Sequence, residues 1–228
     1  MARFEEPSHT PEVVAGYGGT SDTVLKMFEN GYGLIGYSAF NGPIEKSKKA
    51  LSKAREIGAT KVVLLREHTD TIQGAYTING TKAVTTQHNG MVSAYGSGGY
   101  ASGSYWGTST SYVPTQTQIP YSVSRYDQTA LFFGPLKTSC VGVMLSEPSE
   151  QEKRLVDTNQ VVKIAAVRKD SAAYQADIIP GDLIATAGDK GIYPEKPNFG
   201  MSSGEPHTIR LARGRRIVEV KLLPQNCS

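Results

Sequence analysis

At 228 residues, with 39% apolar and 20% charged side chains, the chain has room for two ordinary domains and a globular composition. A formal charge of +3 is too small and dispersed to indicate nucleic-acid binding. No apolar run approaches the roughly 18–20 residues of a membrane-spanning helix.

Residues 1–20 read as an N-terminal tail, and its first residues, Met1 to Pro11, lack the apolar core of a signal peptide, which is also how an exported chain looks once its signal is removed. Ser21 as N-cap opens a helix to Asn30, closed by Gly31. Gly33–Phe40 reads as a strand. Pro43 suits a first helical turn, and Ser47, Ala50, Leu51, Ala54 and Ile57 recur at helical spacing up to Gly58. The opposite face carries Lys46, Lys49, Lys53 and Glu56; with Lys48, these lysines form a solvated helix face. Thr60–Arg66 is β-branched and aliphatic, so strand, helix and strand make a right-handed βαβ unit.

From Thr71 to Gly134 the pattern is all β. Ala75–Ile78 and Lys82–Thr86 flank Asn79-Gly80, a strong hairpin signal, and Tyr121–Ser124 and Thr129–Phe133 read as later strands. Residues 91–112 are nearly all Gly, Ser, Thr, Tyr and one Trp, which suits either a mobile loop or a long twisted β-ribbon. As a ribbon, Tyr95, Tyr100, Tyr105, Trp106 and Tyr112 would line an aromatic surface for a partner, a glycan or self-association; packing onto a neighbouring domain is the alternative.

Three groups of residues in this half, Gly33–Gly42, Ala54–Leu65 and Ile119-Pro120-Tyr121 with Arg125–Gln128, resemble bacterial envelope proteins and predicted lipoproteins of uncharacterised activity. The resemblance implies an exported, envelope-associated or secreted protein and supplies no activity.

The last third runs Val141–Leu145, Val161–Val167, Asp170–Ala176, then Ile179-Pro180-Gly181-Asp182-Leu183-Ile184, and closes with Thr208–Leu211, a turn at Arg213–Arg215 and Ile217–Leu223. This order resembles a PDZ domain of the bacterial HtrA type, a module that captures extended peptides. Together with the βαβ unit and ribbon read above, the resemblance leads to the expectation of an α+β protein: a small α/β domain with a long hairpin or ribbon over residues 21–136, then a PDZ-like β-barrel over residues 137–228. It implies a peptide-binding edge at Val141, Gly142, Val143, Met144 and Leu145, where a protein or C-terminal peptide adds as a strand. Gly142 is expected to let the ligand backbone approach. Ser146–Gln160 resembles the family's variable insert. Ile164, Val167, Ile184, Ile209, Leu211 and Val218 are expected in the core, and Asp182 as a cap on local N–H groups. The chain departs from the family pattern at Asp177, where glycine is usual; aspartate tolerates the left-handed conformation required. It departs again between Gly191 and Pro206, where Pro194, Pro197, Gly200, Gly204 and Pro206 exclude the helix that walls a PDZ groove. Because the ends of this fold lie close together, Cys140 and Cys227 are placed for a disulfide, with two free thiols as the alternative.

No catalytic set emerges. His9, His68, His88 and His207 lack a nucleophile turn, and His68 with Asp70 has no serine to complete a triad. Gly200–Gly204 fits G-x-S-x-G without the strand and helix an elbow requires. His68 and His88 have no further ligand at metal spacing. The expectation is a non-catalytic binding protein with no cofactor, or else a self-assembling one whose peptide groove no longer works.

Overall fold

The computed structural model describes residues 4–6, 10–156, 161–187, 190–191 and 201–225. Among these the protein is a β-rich α+β fold with few helices and two sheets, one four-stranded and one six-stranded. The chain divides into two compact units, residues 1–68 with 126–228, and residues 69–125.

In the first unit, β1 (Glu12–Val14) lies within the segment expected to be tail and pairs in parallel with the start of β3 (Lys61–Gly96). Three residues are too few to show a period, so the sequence gives no sign of it. Helix α1 (Thr20–Glu29) begins two residues earlier than Ser21 implies, because Gly19 is its N-cap; Gly31, with a φ of 86°, ends it as expected. Strand β2 (Tyr32–Gly42) leads to α2 (Ser47–Glu56), whose Ala54 packs with Ala59, Val62, Ala130 and Phe132. Strand β2 pairs antiparallel with the end of β4 (Gly99–Pro135), so β4 is inserted between β2 and β3 and the βαβ unit is a split one. Met27 of α1 packs with Val63, Leu131 and Phe133 on the same sheet.

The same unit holds the C-terminal sheet. Strand β5 (Val143–Ser146) pairs antiparallel with β6 (Val162–Val167), β6 with β7 (Leu183–Ala187), and β7 with both β8 (Lys190–Gly191) and β9 (His207–Arg213); β10 (Arg216–Leu222) completes it. The sheet path ends at β5 and β10, so among the described residues it is open and not the closed barrel expected. Between β5 and β6 lies α3 (Glu150–Leu155), started by a capping box in which Ser149 and Glu152 bond each other's backbone N–H. Helix α4 (Ala172–Gln175) has Ser171 as its cap. Asp177 adopts a φ of 57°, as its place in the sequence requires, and Gly214 turns β9 into β10. Ile164, Val167, Ile184, Ile209 and Leu211 are core; Val218 is only half-buried, and Leu222 is fully buried in the same core.

The second unit is a two-stranded ribbon made of the remainder of β3 and the first part of β4. The expected hairpin at Asn79-Gly80 does not exist: β3 runs straight through it and the turn is at Ser97-Gly98, with Gly99 at a φ of 116°. Local turn preference is outweighed by a long continuous ladder. Thr71 meets Ser124, Thr85 meets Thr110, and Tyr95 meets Tyr100, which fixes one antiparallel register along the whole ribbon. None of residues 69–125 is buried. Ordering such a segment costs about 1 kcal/mol or more per residue, and a lone two-stranded hairpin has no core to offset it.

Candidate functional site

The expected peptide edge is built where Ser139 to Ser146 enters the C-terminal sheet. Gly142 sits in the left-handed region with a φ of 82°. Its N–H donates to the Ser139 hydroxyl at 3.2 Å, and its carbonyl accepts from Arg168 N–H at 2.8 Å. A β-carbon on Gly142 would lie 2.2 Å from the β-carbon of Ser171, so glycine is demanded by the chain's own packing rather than by space left for a ligand.

From there the five expected residues divide. Val141 is 1% exposed, and its carbonyl accepts from Ala173 N–H at the start of α4; it belongs to the core. Met144 faces the other way, into a cluster with Phe28, Leu136 and Ala166, where α1 closes over the outer face of the sheet. Val143 and Leu145 are half-buried against the main core. Because Gly142 bonds across to Arg168, the alternation of an antiparallel ladder turns the polar backbone groups of Val143 to the other side. On that side β5 has no neighbouring strand among the described residues. The arrangement offers an extended chain a short run of backbone hydrogen bonds beside two apolar side chains.

Residues 192–200, which hold Pro194, Pro197 and Gly200, lie outside the described residues; residues 201–206 form no helix, and Met201 is buried in the core. Ser202 and Ser203 stand in this irregular segment, which among the described residues contains no strand or helix. No group of three or more His, Cys, Asp or Glu side chains is placed for a metal among the described residues. His88 instead shares a hydrogen bond with the Ser109 hydroxyl at 2.7 Å, and His68 lies edge-on to the Tyr126 ring. Cys140 is buried and is half of a disulfide; Cys227 lies outside the described residues.

Asp182 is 1% exposed and does cap a backbone group, accepting from Ile179 N–H at 3.0 Å. Its second partner was not legible in the sequence. Arg213, 31 positions on, donates to both of its carboxylate oxygens at 2.8 and 2.9 Å and also to the Asp177 carbonyl at 2.6 Å. Hydrogen bonding to Asp182 holds the Arg213 guanidinium still more firmly protonated than usual. This group ties the turn after α4 to the end of β9.

Lys46, Lys49 and Lys53 border a cavity of about 360 Å³ floored by Phe40, Ala50, Leu64 and Phe132. Two of them have local partners: Lys49 pairs with Glu45 and Lys53 with Glu56, while Arg66 donates to the Glu45 carbonyl. On the ribbon, alternation divides the expected aromatic surface. Tyr95, Tyr100, Trp106 and Tyr112 share one face, whereas Tyr105 is on the other, its ring laid over Gly90.

No protein-family model matches the chain, and no curated protein does. Among solved structures it is similar to an HtrA-type protease determined with a decapeptide, at 15% identity and a TM-score of 0.34. The match covers 42% of this chain and 36% of the protease, so the chain spans about a third of that protein's length. A likeness of this size carries no inference about the activity, ligand or fold of this chain.

Proposed function

We propose that this chain is a non-catalytic protein-binding component of the bacterial cell envelope whose PDZ-like C-terminal part takes an extended peptide as an added strand along β5. The observation that carries this reading is the position of β5 at the end of the sheet path, with the backbone of Val143 turned outward behind the left-handed turn at Gly142. Val143 and Leu145 supply the apolar contact for a ligand side chain. An envelope or secreted location is supported by the disulfide at Cys140, since such bonds persist in oxidising compartments.

The test is a screen of random peptides with free C-termini against the whole chain, followed by the same peptides as C-terminal amides and with single N-methylated backbone positions. Strand addition with carboxylate capture predicts one enriched terminal motif. Amidation weakens it about tenfold or more, and N-methylation at alternate positions abolishes it. Equal binding of acid, amide and N-methylated forms rejects the reading.

A further inference from the structure

The ribbon of residues 69–125 is unlike an ordinary exposed surface. Lys82 is the sole charged side chain between Thr71 and Ser124, in a chain where charged residues make up 20%. No residue in the ribbon is buried, and Trp106, Tyr95 and Tyr112 are 86%, 84% and 72% exposed. Alternation sorts the side chains by face. Ile72, Tyr76, Ile78 and Val84 of β3 lie on one side with Val113, Ile119, Tyr121 and Val123 of β4; Thr77, Asn79, Thr81 and Thr85 lie on the other with Gln116, Gln118 and Thr110. Between Ile72 and Val84 and between Val113 and Val123 this period of two gathers apolar side chains on one face, while nearer the turn Met91, Tyr95, Trp106 and Tyr112 lie on the other.

The two edges differ. Strand β4 carries Pro114 and Pro120, on the same alternation as Thr110. The hydroxyls of Thr85 and Thr110 approach to 3.1 Å, as in the close, non-hydrogen-bonded pairs of an antiparallel ladder, so backbone N–H positions on this alternation face outward. The prolines therefore remove donors from the outer edge of β4, a common way of protecting an edge. Strand β3 has no proline from Lys61 to Gly96, and β1 covers its outer edge only at Lys61–Val63. Its remaining edge carries no strand among the described residues, no proline and, beyond Asp70, no charge except Lys82.

We propose that this edge is covered by a second copy of this chain, β3 pairing antiparallel with β3 of the other copy about a two-fold axis. One open edge and one blunted edge give a closed dimer instead of an open fibre. The near absence of charge leaves nothing to recognise a charged partner, whereas identical Thr and Asn side chains match across a two-fold pairing. Lipid is the less suitable cover, because Lys82 sits on the apolar face opposite Val113 and would be left unpaired among acyl chains. In the dimer the apolar side chains of residues 72–84 and 113–123 form one continuous face of a four-stranded sheet.

Sedimentation of the full chain at micromolar concentration tests this. The wild type is expected at twice the 24.5 kDa chain mass. Thr77 and Gln118 are opposite each other across the ladder, so Thr77→Pro removes an outward donor from β3 and Gln118→Pro removes one from β4. Thr77→Pro is expected as a monomer and Gln118→Pro as a dimer. Charge variants guard against misfolding as the cause. Chains carrying Thr77→Asp with Thr81→Asp, and chains carrying Thr77→Lys with Thr81→Lys, should each be monomeric alone and dimerise when mixed. A monomeric wild type, equal behaviour of the two proline variants, no recovery on mixing, or binding of the monomer to phosphatidylcholine vesicles would each overturn the proposal.

Discussion

Gly142 and Ser171 are packed so closely that a β-carbon on the first would fall 2.2 Å from the β-carbon of the second. The turn that introduces β5 is thus fixed by a residue almost thirty positions later, which also caps α4 and donates its hydroxyl to the Arg168 carbonyl. The expected outcome of Gly142→Ala is a loss of about 2 kcal/mol or more, from the left-handed backbone and the overlap together. Adding Ser171→Gly should recover the part due to overlap, less about a few tenths of a kcal/mol for the lost cap on α4, and leave the backbone part. Urea unfolding of the wild type, Gly142→Ala and the double variant checks this; a change under about 0.5 kcal/mol for Gly142→Ala would contradict it.

Asp182→Ala should be among the most damaging single substitutions in the C-terminal sheet. It strips Arg213 of a two-pronged carboxylate partner and leaves the Ile179 N–H without its acceptor. Breaking a largely buried pair from one side costs about 3 kcal/mol. Thermal unfolding measures it, and Asp182→Asn should fall between the two, since an amide oxygen still accepts from Ile179. An Asp182→Ala chain as stable as wild type would show that the Arg213 contact is not formed in solution.

The start of α3 should respond to acid. The Lys163 ammonium, with the Ser149 N–H and hydroxyl, draws the Glu152 carboxyl down from 4.5 to about 2. A carboxyl depressed in the folded state stabilises above its unfolded value and loses that contribution as pH falls through the folded one. The capping box is therefore intact above about pH 4.5 and opens as pH approaches 2. The side-chain carbon shift of Glu152, followed by NMR, should titrate near pH 2. Titration of Glu152 at the ordinary carboxylate value would contradict the Lys163 contact.

The disulfide at Cys140 has a simple chemical check. Cys227 is the only other cysteine in the chain, so a non-reducing peptide map should yield one cross-linked pair joining Cys140 to Cys227, with no free thiol. Closing so long a loop stabilises by about 4 kcal/mol in the chain-entropy account, and reduction should lower the unfolding midpoint accordingly. Two free thiols in the native protein would contradict this and remove the support it lends to an oxidising compartment.

The C-terminal half was the more legible in the sequence, because its turns rest on local chemistry. Asp177 and Gly214 mark left-handed positions, Ser171 caps a helix, and Asp182 satisfies a nearby N–H. What escaped depends on residues distant in sequence: the contact of Ser171 with Gly142, the grip of Arg213 on Asp182, and the parallel pairing of β1 with β3. The ribbon shows the same limit from the other direction. Asn79-Gly80 has the residues of a hairpin turn, yet a turn there would break the pairing that continues to Tyr95 and Tyr100. Of the candidate peptide edge, the strand was legible. Which of its side chains face the core was settled only by the packing of α1 and α4.

The most direct test of strand addition is amide hydrogen exchange across Cys140–Ser146, measured with and without the tightest free-acid peptide from the screen. The account predicts that the Val143 amide, which faces the open edge, slows about tenfold or more on binding, while the ribbon amides of residues 69–125 do not change. Protection confined to the ribbon or to α2, with Val143 exchanging as fast as in the free protein, would contradict peptide capture along β5.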